Sequence, residues 1–87
     1  MIIKDYYKWI SIREKNKSAS GKTKIYEVVN KDHPDFLIGK IKWNGGWRKY
    51  AFYPEPDSYY EEDCLINLAD FLTELKIQRK KEKNETN

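Results

Sequence analysis

The sequence predicts an α+β domain: a small antiparallel sheet of three to four strands with one C-terminal helix packed on one face. Three observations carry that expectation. Four short runs rich in β-branched and aromatic residues occupy the chain up to Tyr53. Polar or glycine-bearing segments at Asn16–Lys22, Lys31–Asp35 and Asn44–Gly46 separate them. Beyond Pro54 and Pro56 the apolar residues change to helical spacing. Strands followed by a single helix place that helix across one side of an antiparallel sheet.

The first strand is expected over Tyr7–Arg13 (YKWISIR), followed by the polar loop NKSASGK, where Gly21 supplies backbone freedom. The second covers Thr23–Asn30, whose apolar residues alternate. A turn follows because Pro34 has no N–H and pushes His33 to an extended conformation. Phe36–Trp43 is the third strand and Trp47–Tyr53 the fourth, joined by Asn44-Gly45-Gly46 as a tight hairpin turn. Pro54 and Pro56 end the sheet, since neither donates to a ladder. In the helix, Ser58 and Glu61 fit a capping box. Cys64, Leu65, Leu68, Phe71, Leu72 and Leu75 share one stripe. Residues 1–78 thus form a single ββββα domain, and residues 79–87, basic and nearly free of apolar side chains, read as a disordered tail. Whether the first 24 residues join the sheet is left open.

Composition bounds the function. A chain of 87 residues forms one small domain with a modest core, which excludes a two-domain enzyme with a deep cleft. A mean hydropathy of −0.94 leaves no membrane-spanning stretch, and the N-terminus does not read as a signal peptide. One cysteine, Cys64, cannot form an internal disulfide, which points to a reducing cytoplasm. Thirteen aromatic residues argue for a packed core despite 36% charged residues. The net charge of +3 is unevenly spread: residues 1–24 carry +5, residues 25–75 carry −5 and residues 76–87 carry +3. Basic ends attract polyanions locally, and they equally serve solubility.

A three-residue loop at Asn44–Gly46 pairs Trp43 with Trp47 and Gly39 with Ala51, and that face is assigned to the helix. The opposite face then interleaves Lys40 and Lys42 with Arg48, Tyr50 and Phe52. Cations for phosphates and rings for bases make a nucleic-acid platform. Lysine stems lying over rings on a solvated sheet give the same pattern. A second candidate surface is the acidic helix start, Glu61, Glu62 and Asp63, together with Ile66 and Ile77, which fall opposite the core stripe. These residues suit a protein partner or self-association.

Signals for chemistry are sparse. His33 sits in a polar turn between Asp32 and Asp35 without a second histidine or a cysteine cluster, so no metal site is expected. Cys64 lies on the apolar stripe and reads as a core residue. Gly45-Gly46 belongs to a hairpin and does not precede a helix, so it is no phosphate loop. The expectation is a non-enzymatic protein with no catalytic residues, metal or cofactor.

The stretch Trp47-Arg48-Lys49-Tyr50-Ala51-Phe52-Tyr53-Pro54-Glu55-Pro56-Asp57, followed by Cys64-Leu65 and Ala69-Asp70-Phe71, resembles a family of short uncharacterised proteins of phages and bacterial mobile elements. These share a W-R-x-Y-x-F-x-P-x-P-D strand exit and a Cys-Leu helix; the resemblance covers roughly Ile25–Leu75. It implies a small accessory protein acting inside a bacterial cell and assigns no functional residue. A more remote likeness, in element order alone, is to the three-strand-plus-helix DNA-binding domains of some integrases. The reading is therefore a phage-type accessory protein that binds nucleic acid through Lys40, Lys42, Arg48, Tyr50 and Phe52. The alternative is an inhibitor of a host or defence enzyme acting through the acidic helix start, which would also suit a nucleic-acid mimic.

Overall fold

The computed structural model describes residues 2–4, 7–17 and 21–85, with side chains described for 7–15 and 21–81. It contains β1 (Ile2–Lys4), β2 (Ile10–Lys17), β3 (Lys24–Asn30), β4 (Leu37–Asn44), β5 (Lys49–Pro54) and α1 (Glu62–Glu85). The sheet is an antiparallel meander in the order β1-β2-β3-β4-β5, each strand pairing with its chain neighbour. The α+β class with one C-terminal helix is as expected, and the sheet has a further short strand. Residues 1–24 supply both β1 and β2.

The core lies between the sheet and α1. Ile10 and Ile12 of β2, Tyr26 and Val28 of β3, and Ile41 of β4 meet Leu68, Phe71 and Leu75 of the helix. The 4-3-4 spacing of Cys64, Leu68, Phe71 and Leu75 keeps these four on one side of α1. Leu65, expected on that stripe, flanks it instead and is 53% exposed. Aromatic edges tie the layers together. Tyr26 of β3 meets Phe71 of α1 at 5.2 Å and 82°, and within the sheet Tyr50 meets its β4 partner Trp43 at 5.5 Å and 84°. Tyr7 is buried before β2 begins, its hydroxyl donating to Asp70 Oδ2 of α1 at 2.8 Å.

Several element boundaries differ from the sequence expectation. β2 starts at Ile10, because Tyr7 turns into the core, and it runs on through Lys17 into the expected polar loop, where Lys17 pairs with Lys24. α1 starts at Glu62, and Ser58 is not its cap: the Ser58 hydroxyl donates to the Ile38 carbonyl at 3.2 Å. Glu61 caps the helix, its Oε1 accepting the Cys64 N–H at 2.7 Å. The helix also continues through residues 79–85, where a disordered tail was expected. Lysine, arginine and glutamate are good helix formers, and the cations suit the negative C-terminal end of the helix. Thr86 and Asn87 lie outside the described residues.

Candidate functional site

The hairpin between β4 and β5 decides which side chains share a face. Its loop has four residues, Gly45–Arg48, and the pairs are Asn44–Lys49, Trp43–Tyr50, Lys42–Ala51, Ile41–Phe52 and Lys40–Tyr53. The physical cause is Asn44. Its side-chain Oδ1 accepts the Trp47 N–H at 2.9 Å, which closes the chain over Gly45 and Gly46. Its amide nitrogen donates to the Tyr53 hydroxyl at 3.1 Å. The chain leaves the turn through Arg48, at φ 55°, a left-handed conformation taken by neither Gly45 nor Gly46.

This register divides the expected interface. Tyr50 and Phe52 pack against the core beneath α1, and Arg48 sits in the turn. Lys40 and Lys42 stand on the face turned away from the helix, beside Ala51 and Tyr53. The interleaved basic and aromatic platform is therefore not assembled, because one residue of loop length moves every β5 side chain to the other side.

The outer face is basic in another way. Arg13, Glu27, Lys40 and Tyr53 are successive register partners across four strands. Arg13 Nε lies 2.8 Å from Glu27 Oε1, and Lys15 Nζ lies 3.2 Å from Oε2. Burial acts to raise the Glu27 carboxyl, but the hydrogen bonds and charges of Arg13 and Lys15 outweigh it and hold it below the ordinary value. Lys42 Nζ rests 4.5 Å over the Tyr53 ring. With Lys49 at the hairpin end, this face gathers five cations around the Glu27 carboxylate among the described residues. Among the described residues, Tyr53 is an aromatic side chain on this face.

A second basic spot joins segments far apart in sequence. Lys22, Lys24 and Arg79 line a polar cleft of about 70 Å³ where β3 begins beside the second half of α1. The Arg79 guanidinium stacks on Trp43 at 4.2 Å, Lys24 N–H donates to the Tyr50 hydroxyl at 3.1 Å, and Lys24 Nζ pairs with Glu14 at 3.5 Å. The last lysines of the basic N-terminal segment and Arg79 of the basic C-terminal segment thus meet at one end of the sheet.

At the other end lies a groove of about 610 Å³ that the sequence did not disclose. Ile10, Ile38, Tyr60 and Cys64 line it, with Trp9, Phe36 and Tyr59 exposed at its edges and Asp32, Asp57 and Glu61 contributing carboxylates. Its walls come from the entry to β2, the β3–β4 turn and the link into α1. Two of the three exposed aromatic residues have acids close in sequence, Phe36 after Asp35 and Tyr59 between Asp57 and Glu61, whereas Trp9 is flanked by Lys8 and Ile10. Asn30 Oδ1 shapes one wall by accepting the N–H groups of Asp32 (2.9 Å) and His33 (3.1 Å). Partial desolvation acts to raise the Glu61 carboxyl, but N–H groups of Asp63 and Cys64 donating to it hold it below its ordinary value. Burial, then the nearby Glu61 and Asp63, push the Cys64 thiol up, away from the reactive thiolate. Glu62 and Asp63 occupy the first turn of α1 beside this groove. Ile66 and Ile77 are 56% and 61% exposed on the side of α1 opposite the core stripe, outside the groove lining.

Among proteins of known sequence, the chain is 29% identical over 76 residues to an uncharacterized 9.3 kDa protein of Acholeplasma phage L2, covering 87% of this chain and 91% of that one. This similarity to a short phage protein agrees with the setting implied by the resemblance and says nothing of the W-R-x-Y-x-F-x-P-x-P-D strand exit. No protein-family model and no solved structure matches the chain. Among the described residues, no helix is long and apolar enough to cross a membrane.

Proposed function

We propose that this is a phage-type accessory protein without enzymatic activity that binds nucleic acid inside the bacterial host, chiefly through phosphate contacts. The observation that supports the reading is the outer sheet face, where, among the described residues, Arg13, Lys15, Lys40, Lys42 and Lys49 gather around Glu27, a carboxylate already paired to Arg13 and Lys15. The cleft of Lys22, Lys24 and Arg79 extends the positive surface around the sheet end. With Tyr50 and Phe52 committed to the core, binding rests on charge more than on base stacking, and it is expected to be weakly sequence-selective.

Fluorescence anisotropy of labelled duplex and single-stranded oligonucleotides, titrated over a range of salt, tests it. If four phosphates are neutralised on a duplex, the log–log salt slope is about −4. Lys40→Ala reduces the magnitude of that slope by about 1, as does Lys42→Ala. Absence of binding at low salt, or a slope indifferent to both substitutions, overturns the reading.

One observation favours a second reading, an inhibitor docking on a host or defence enzyme. Glu61, followed by Glu62 and Asp63 in the first turn of α1, borders an apolar groove with exposed aromatic edges, the composition of interface centres. Retention of a host protein by the immobilised chain, lost on Phe36→Ser, is the expected result under that reading.

A further inference from the structure

We infer that the groove receives the basic second half of α1 from another copy of this chain, so that the protein associates head to tail. The receptor is apolar inside and acidic at its edge. Ile10, Ile38 and Cys64 lie within it, Phe36 and Tyr59 stand 61% and 94% exposed beside it, and Asp32, Asp57 and Glu61 supply three carboxylates. Against these stands Lys8, whose ammonium lies 4.9 Å over the Trp9 ring. The complementary piece of the chain begins after Leu75, the last buried residue of α1 among the described side chains. Residues 76–81 are all exposed, and Ile77 shares its side of the helix with Lys80 and Lys81 at the i+3 and i+4 positions. An exposed apolar side chain flanked by cations matches an apolar groove edged by carboxylates in shape and in sign.

The match cannot close within one molecule. Glu61 lines the groove at the start of α1, and Ile77 lies about 24 Å further along the same straight element at 1.5 Å per residue. A second copy is therefore the occupant. Receptor and inserted end are different surfaces, so the interface is heterologous, and each added copy leaves one groove and one basic end unfilled unless a ring closes.

Sedimentation velocity of the full-length protein without nucleic acid tests this. The expected result is a sedimentation coefficient that rises with protein concentration and falls with added salt. Phe36→Ser, at an exposed groove edge, and Ile77→Asp, at an exposed helix position, are each expected to weaken association by at least about tenfold while leaving the circular dichroism unchanged. Tyr59→Ser serves as a second groove variant. Mixing the Phe36→Ser and Ile77→Asp chains restores pairing but stops at a dimer, because the mixture retains one intact groove and one intact helix end. A wild-type chain that stays monomeric at every concentration, association indifferent to the substitutions, or single variants that fail to pair when mixed would each overturn the inference. A monomer that captures a host protein through the same groove would assign it to the inhibitor reading.

Discussion

Gly39→Ala is a direct test of the hairpin register. A Cβ at position 39 would lie 2.6 Å from Cε1 and Cζ of the Phe52 ring and 2.7 Å from the Tyr53 carbonyl oxygen. Reaching ordinary contact at 3.4 Å requires the ring to recede by 0.8 Å and the carbonyl by 0.7 Å. The ring is held edge-on by Tyr60 at 5.4 Å, and the carbonyl is backbone, so neither gives cheaply. Overpacking of this kind costs about 1–3 kcal/mol, offset by about 0.4–1 kcal/mol from the stiffer unfolded chain. A net loss of about 1.5 kcal/mol lowers the thermal midpoint by roughly 6–12 °C in a domain of this size. Thermal and urea unfolding followed by circular dichroism measure it. Phe52→Leu in the Gly39→Ala background recovers part of the loss, with a coupling of at least about 0.5 kcal/mol, while the Tyr53 carbonyl contact persists. A three-residue hairpin loop would instead set Gly39 beside Ala51 with Phe52 on the far side. A Gly39→Ala protein within about 0.5 kcal/mol of wild type, with no coupling to Phe52, would refute the four-residue loop.

Tyr7→Phe removes the hydroxyl bond to Asp70 and is expected to cost about 1 kcal/mol, with no additional loss when Asp70→Asn is combined with it. Arg48→Gly relieves the left-handed residue at φ 55°, worth about 1–2 kcal/mol, against a backbone-entropy cost of about 0.4–1 kcal/mol, so urea unfolding should show a slightly more stable protein; a loss of stability contradicts the turn described. The Glu27 carboxyl is held below its ordinary value in the folded state, so its contribution is complete above the unfolded-state pKa and is lost as pH falls through the folded one. Urea midpoints followed from neutral pH down through the carboxylate range should therefore fall for wild type and fall less steeply for Glu27→Gln. An equal slope for both removes Glu27 from the acid response.

The fold class was legible because prolines, polar turns and a change of hydrophobic period are local signals, and they bracket β3, β4 and β5 to within two residues. What failed locally was decided elsewhere. Asn44-Gly45-Gly46 carries the composition of a tight turn, yet the Asn44 side chain selects a longer loop by capping Trp47 and reaching Tyr53, nine residues away. Ser58 has the chemistry and spacing of a helix cap, but the Ile38 carbonyl, twenty residues earlier, takes its hydroxyl. The expected site inherited the loop error: Lys40 and Lys42 keep their place because their own strand alternates, whereas Tyr50 and Phe52 change sides with the register. Aromatic residues near acids were visible in the sequence but the groove was not, since Trp9, Phe36 and Tyr59 meet only after three separate connections are folded.

The meander has a consequence for how the chain is made. Each β-strand pairs with the one synthesised just before it, and the connections at residues 31–36 and 45–48 are short, so hairpins close in microseconds as they emerge. The apolar side formed by Ile10, Ile12, Val28 and Ile41, however, is covered by residues as late as Leu75, 21 positions after β5 ends at Pro54. At about 5–20 residues per second of translation, that interval lasts roughly 1–4 s, far longer than strand pairing requires. Until that cover is in place, the sheet has one greasy side open to chaperones and to other chains. The arrival of Phe71 and Leu75, more than any step of sheet assembly, sets the moment at which a new copy becomes resistant to aggregation and proteolysis.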